Sequence, residues 1–182
     1  MKARQKTAEL GEHRLSGDRT EAYDDARALA IELACGESSA RFDPMTAGVV
    51  LQPGETVYRQ VQVWIRVQQE GTWAEASSAD VILTDGRLLC RFVSGRLASL
   101  WWSGVVGLHV DIATEHVVLD FGDAQPVCLA GPRVASVAVV AVASVYGPGA
   151  MLTHDALAPL RTWPNTTHSA RQRHQNPESA DA

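Results

Sequence analysis

Short runs of alternating apolar and polar residues, each closed by a turn, follow one another from Val81 to Leu129. A strand presents successive residues to opposite faces, so each such run reads as a half-buried strand. Val81 to Phe92 reads as a hairpin about Asp85-Gly86, a pair suited to a type I′ turn with positive φ at both central residues. That turn sets Thr84 opposite Arg87, Leu83 opposite Leu88, Ile82 opposite Leu89 and Val81 opposite Cys90. Val81, Leu83, Leu88, Cys90 and Phe92 then share one face, with Arg87 and Arg91 on the other. Gly95 turns the chain into a strand from Leu97 to Trp102, and Ser103-Gly104 ends it. Val106, Leu108, Val110 and Ile112 alternate with Gly107, His109 and Asp111, and Thr114-Glu115 turns the run back. Val117, Leu119 and Phe121 continue it. If Ile112 faces Val117, His109 lies opposite Asp120. Pro126 to Leu129 makes a last strand.

Upstream, Val57 to Val67 alternates most regularly: Val57, Arg59, Val61, Val63, Ile65 and Val67 against Tyr58, Gln60, Gln62, Trp64, Arg66 and Gln68. The count is seven strands. Gln69 to Asp80 reads as a polar, acidic loop carrying Trp73. Before the strands, Thr20 suits the cap of a helix over residues 20–36, stopped by Gly36. Its stripe Tyr23, Ala26, Leu29, Ala30 and Leu33 needs an apolar dock, for which Ile82 and Leu89 are the candidate. Residues 37–54 connect helix to strands. After the strands, Gly131-Pro132 opens a second helix with Val134, Val137, Ala138, Ala141 and Val145 in helical register, ended by Gly147-Pro148. It is too short to cross a bilayer, which takes ~20 apolar residues. Residues 149–161 form an extension with one further turn.

One domain fits 182 residues. Residues 1–19 read as a flexible basic arm and 162–182 as a disordered polar tail. The net charge of −5 is uneven. The first twenty residues hold five basic and three acidic groups and the last twenty-one hold two of each, so the body carries −7. An acidic body argues against nucleic acid and anionic membrane as main partners. Cys35, Cys90 and Cys128 are odd in number and lack metal spacing, which reads as free thiols in a cytoplasmic protein.

Pro53-Gly54-Glu55, the hairpin Ile82 to Leu89, and Ser99 to Asp111 with its paired tryptophans resemble the GRAM and bacterial pleckstrin-homology-like (PH-like) domains, over roughly Val50 to Tyr146. The resemblance implies a mainly β (α+β) fold. It implies a seven-stranded barrel of two near-orthogonal antiparallel sheets, capped by a C-terminal helix, over residues 50–148. The helix at residues 20–36 is extra to that pattern. It further implies a non-enzymatic module that binds proteins, another copy of itself included, or peripherally binds membrane lipid. Phosphoinositide binders of this kind carry a basic first loop, whereas Gln68 to Asp80 holds Glu70, Glu75 and Asp80 and no Lys or Arg.

Neither a cofactor nor a small-molecule substrate is expected, and no nucleophile sits in a recognisable catalytic elbow. The candidate binding residues are Trp73, Trp101, Arg87, Arg91 and His109. Trp73 is an aromatic in a polar loop, the kind of side chain that anchors interfaces. Adjacent strand residues face opposite ways, so Trp102, with Ala98 and Leu100, goes inward and Trp101 outward. Arg59, Arg87 and Arg91 read as an outer-face basic strip. His109, Asp111, His116 and Asp120 offer metal-ligand types, but a cross-strand His109–Asp120 pair in water is the reading preferred. The basic arm with Lys2, Arg4 and Lys6 could touch acidic lipid, weakly and in a salt-dependent way.

Overall fold

The computed structural model of the protein describes residues 2–36 and 42–162, with residues 2–17 as backbone. The elements are α1 (Lys2–Cys35), α2 (Pro44–Ala47), β1 (Val57–Gln69), β2 (Thr72–Trp73), β3 (Ser77–Thr84), β4 (Arg87–Phe92), β5 (Leu97–Trp101), β6 (Gly107–Asp111), β7 (His116–Asp120), β8 (Val127–Ala130), α3 (Val134–Tyr146), α4 (Ala150–Thr153) and α5 (Ala158–Thr162). Single 3₁₀ turns lie at Trp102–Gly104 and Asp155–Leu157.

The strands form one antiparallel sheet in the order β5-β4-β3-β1-β8-β7-β6, with the stub β2 on the end of β1. No pairing joins β5 to β6, so the sheet is not closed. At 13 residues, β1 exceeds the usual strand length of ~3–10. It can be long because it serves two neighbours in succession. Val57 to Ile65 pair with β3, while Trp64 to Val67 pair with β8.

The core lies on the face carrying Val61, Val63, Ile65, Val81, Leu83, Leu88 and Cys90. The β3–β4 register is the one read from sequence: Leu83 opposite Leu88, Ile82 opposite Leu89, Val81 opposite Cys90. The turn chemistry differs. Gly86 is not in the left-handed region. Instead the Thr84 hydroxyl oxygen accepts from the Gly86 and Arg87 amides at 3.2 and 2.9 Å. A side chain thus does what a mirror-image turn would have done. The expected loop at residues 69–80 holds the left-handed pair instead. Glu70 (φ 49°) and Gly71 (φ 80°) join β1 to β2, the pattern of a type I′ turn. The remainder of the loop is largely strand, since β3 begins at Ser77.

The β6–β7 hairpin is shifted two residues from expectation. Val110, not Ile112, faces Val117, so His109 lies opposite Val118 and Asp120 opposite Gly107. The connection takes four residues rather than two, closed by the Glu115 amide on the Ile112 carbonyl at 3.2 Å, with Glu115 at φ 60°. Ile112 is released from the ladder and buried, and its carbonyl accepts from the Tyr23 hydroxyl at 3.1 Å. A two-residue shift preserves the faces, which explains why Val117 and Leu119 are still core.

Val134 through Val142 of α3 are all buried, not only the expected stripe. A helix apolar all round belongs between two layers. Here the sheet covers one side of α3, and α1 packs along the other with Tyr23, Ala26 and Leu29. The stripe of α1 therefore docks on α3, not on Ile82 and Leu89. Helix α1 also begins at Lys2 rather than near Glu21. Polar contacts fix its seat: Ser136 donates to Asp25 Oδ2 (2.9 Å), Arg19 pairs with Glu115, and Arg133 pairs with Glu21.

Candidate functional site

Of the candidate side chains, Arg87 is the one whose role changes most. It is 6 % exposed and forms a two-pronged ion pair with Glu55, its Nε and Nη2 at 2.9 Å from Oε1 and Oε2. The same guanidinium donates to the Val50 carbonyl and the Ser99 hydroxyl, and lies 4.5 Å above the Trp101 ring. Burial alone would raise the Glu55 carboxyl. Hydrogen bonds from Arg87, the Gln52 amide and Thr84 outweigh it and hold the group below the ordinary carboxylate value. A charge so fully partnered ties the connector to the β4–β5 edge and is not available to a ligand.

The basic strip expected from Arg59, Arg87 and Arg91 is therefore absent. Arg59 turns to α1 instead, with Asp25 at 2.9 Å and Glu32 at 2.8 Å. Glu32 first, then Asp25, hold its guanidinium above the ordinary value. Arg91 is half-buried, where a side chain at Gly48 would touch it. His109 is exposed on the end strand β6, and its expected Asp120 partner sits across from Gly107. Across the hairpin, Asp111 pairs in register with His116. Among the described residues, no three His, Cys, Asp or Glu side chains cluster as metal ligands.

Trp101 faces outward at 41 % exposure, and Trp102 is buried, as the alternation indicates. Trp73 is also exposed, and the structure gives it company that sequence reasoning missed. Trp64 (53 % exposed) and Trp73 (37 %) line one hollow of about 360 Å³ on the outer face, with Arg66, His116, Cys128 and Ala130. The register explains the assembly. Trp64 and Arg66 are the outward residues of β1, β2 folds Trp73 back opposite Gln68, and Ala130 pairs with Trp64. The signal was present in the β1 alternation, which puts Trp64 on the face away from Val63 and Ile65.

The thiols take no evident part. The three described cysteines are unpaired. Burial pushes Cys90 up to about 12 and raises Cys128, so both are held as neutral thiols.

No family model matches the chain, and no curated protein matches it. Among solved structures, it is similar to the C-terminal domain of an unknown protein from Leishmania infantum. The match covers 52% of this chain and 86% of that one, at a TM-score of 0.37 and 11% identity. A likeness at that level carries no argument about fold or function.

Proposed function

We propose that the protein is a non-enzymatic binding module of PH-like type that engages another protein through its outer sheet face. Its partner is a different protein or a second copy of the chain. The observation that carries this reading is the hollow between Trp64 and Trp73 with Arg66 beside it. Tryptophan and arginine are the side chains most enriched where interfaces concentrate their energy. Two large aromatics side by side, each with a third or more of its surface in water, make an exposed apolar patch of the kind that marks interaction sites. The PH-like part of the proposal rests on the order of elements: four main strands, β1 and β3–β5, then three, β6–β8, then a buried helix, with β1 joining the two sets.

A peripheral membrane role fits less well, because Glu70 and Glu75 flank Trp73 in sequence and the body carries −7. Such charge opposes docking on anionic lipid. No helix among the described residues is long and apolar enough to cross a membrane. A cytoplasmic setting is part of the proposal and follows from the cysteine usage.

The test compares full-length protein with the Trp64→Ala/Trp73→Ala double variant. Sedimentation velocity reads self-association, and affinity capture with mass spectrometry reads other partners. The expected result is a partner or a dimer lost in the variant while its melting temperature is retained. Identical partners for both proteins, or tight binding to anionic vesicles at physiological salt, would overturn the proposal.

A further inference from the structure

We propose that the open edge of β1 at Gln60 to Gln62 accepts an extended, basic peptide segment of a partner protein as an added antiparallel strand. The inference rests on the reading of the chain as a protein-binding module but uses a neighbouring groove, which shares Trp64 with the hollow and does not include Trp73. Strand addition binds through main-chain hydrogen bonds, so it needs backbone groups that point outward into a recess.

The direction of those groups follows from β1 itself. Past its bulge between Val57 and Arg59, the Val67 carbonyl accepts from Ala74 on the β2–β3 side, and the Gln68 amide donates to Pro126 on the β8 side. Backbone groups alternate sides along a strand. Odd-numbered residues therefore bond towards β3, and Gln60 and Gln62 point the other way. Pairing with β8 stops at Trp64, opposite Ala130. The N–H and C=O of Gln60 and Gln62 thus have no backbone partner among the described residues.

The chain opens this gap with two residues. Gly131 takes φ 119° and leads the backbone away from the ladder. Pro132 falls where β8 would next face Gln62, and it has no N–H to give. Further along, the Arg59 guanidinium donates to the Tyr58 carbonyl, which closes the edge at its other end. Between these stops runs a groove of about 760 Å³, walled by Asp18 and Asp25 of α1 on one side and Gly131 to Arg133 at the end. That is the size of a ligand cleft, commonly ~300–1,000 Å³. It lies in line with β8, which sets the antiparallel direction.

Charge selects the occupant. Residues opposite each other in an antiparallel pair share a face. A peptide residue opposite Val61 therefore projects to the α1 side, where Asp18 has no ion-pair partner among the described residues. Both guanidiniums of the groove wall are already paired, Arg59 with Asp25 and Glu32 and Arg133 with Glu21, which leaves the Asp18 carboxylate facing the groove. A lysine or arginine at that peptide position meets the Asp18 carboxylate.

The probe is a displayed library of random eight-residue peptides, selected on the full-length protein. Selected peptides are expected to be β-prone and to carry a Lys or Arg. They should slow hydrogen exchange at the Gln60 and Gln62 amides. Gln62→Pro deletes one groove-facing N–H and no bond to β3, and should weaken binding at least tenfold with the fold retained by circular dichroism. Asp18→Lys, an exposed change that spares the sheet, should weaken it several-fold, and the loss should shrink in high salt. Trp73→Ala, which alters the outer face, should leave peptide affinity unchanged; this separates the groove from the tryptophan hollow. No selected binder, or binders indifferent to Asp18→Lys that protect no β1 amide, overturns the proposal. Concentration-dependent protection of Gln60 and Gln62 without peptide would instead assign the edge to a second copy.

Discussion

Trp102 donates its indole N–H to the Thr84 carbonyl at 2.9 Å from within the core, while Trp101 before it lies beneath the Arg87 guanidinium at the surface. The strand ends at Trp101, and the 3₁₀ turn then carries Trp102 over the end of the sheet. Replacing Trp102 by alanine removes a large buried ring and strands a carbonyl, so a loss of about 3–5 kcal/mol is expected by urea denaturation. Trp101→Ala removes a partly exposed cation–π contact and should cost no more than ~1 kcal/mol. Equal losses at the two sites would mean that Trp101 also belongs to the core.

At the scale of elements, the β1–β2 and β3–β4 turns reach similar ends by different chemistry. Between β1 and β2, Gly71 holds a left-handed φ that an L-residue with a Cβ adopts only with strain. Gly71→Ala should cost about 1 kcal/mol, and hydrogen exchange should report the loss first in the β1–β2 hairpin. Between β3 and β4, Gly86 is not left-handed, and an added Cβ would lie 3.8 Å from Trp101 and 3.9 Å from Glu55, at ordinary contact distance. Gly86→Ala should therefore fall within ~0.5 kcal/mol of the parent. A large loss at Gly86 together with none at Gly71 would reverse this assignment of the turns.

Across the whole molecule, Glu55 ties the connector to the sheet, and its side chain is 2 % exposed. Its folded-state carboxyl sits below the ordinary value, so it contributes stability above the unfolded carboxylate pKa of ~4.3. That contribution is lost as pH falls through the lower, folded value. Asp43 and Asp111, held down first by the Thr46 and Thr114 side chains respectively, act in the same direction. Denaturation midpoints should therefore drop between about pH 5 and pH 3. Glu55→Gln breaks a buried pair and should lose on the order of 3–5 kcal/mol at neutral pH, with a shallower fall in acid. A variant whose stability parallels the parent across that window would show that Glu55 is not linked to folding.

Local rules were enough for much of this. Alternation in β1, β3 and β4 fixes which side chains share a face, and for Trp101 and Trp102 it separates surface from core. Period two survives a shift of two residues, which is why Val117 and Leu119 were legible as core although the β6–β7 register was not. The register depended on Ile112 leaving the ladder to meet Tyr23, a contact 89 residues apart in sequence. Charge partners are equally non-local. Nothing near Arg87 or Arg59 in the strands announces Glu55, Asp25 or Glu32, so two arginines of an apparent basic strip became members of three internal ion pairs. The sequence by itself determined the strands, the two main helices and the inward and outward sets of side chains, because these follow from backbone sterics and hydrophobic period. Only the tertiary structure decided that α3 is enclosed on all sides from Val134 to Val142, that Trp64 joins Trp73, and that β1 keeps an open edge at Gln60 and Gln62. Each of those depends on where distant segments come to rest, and a local pattern carries no information about that.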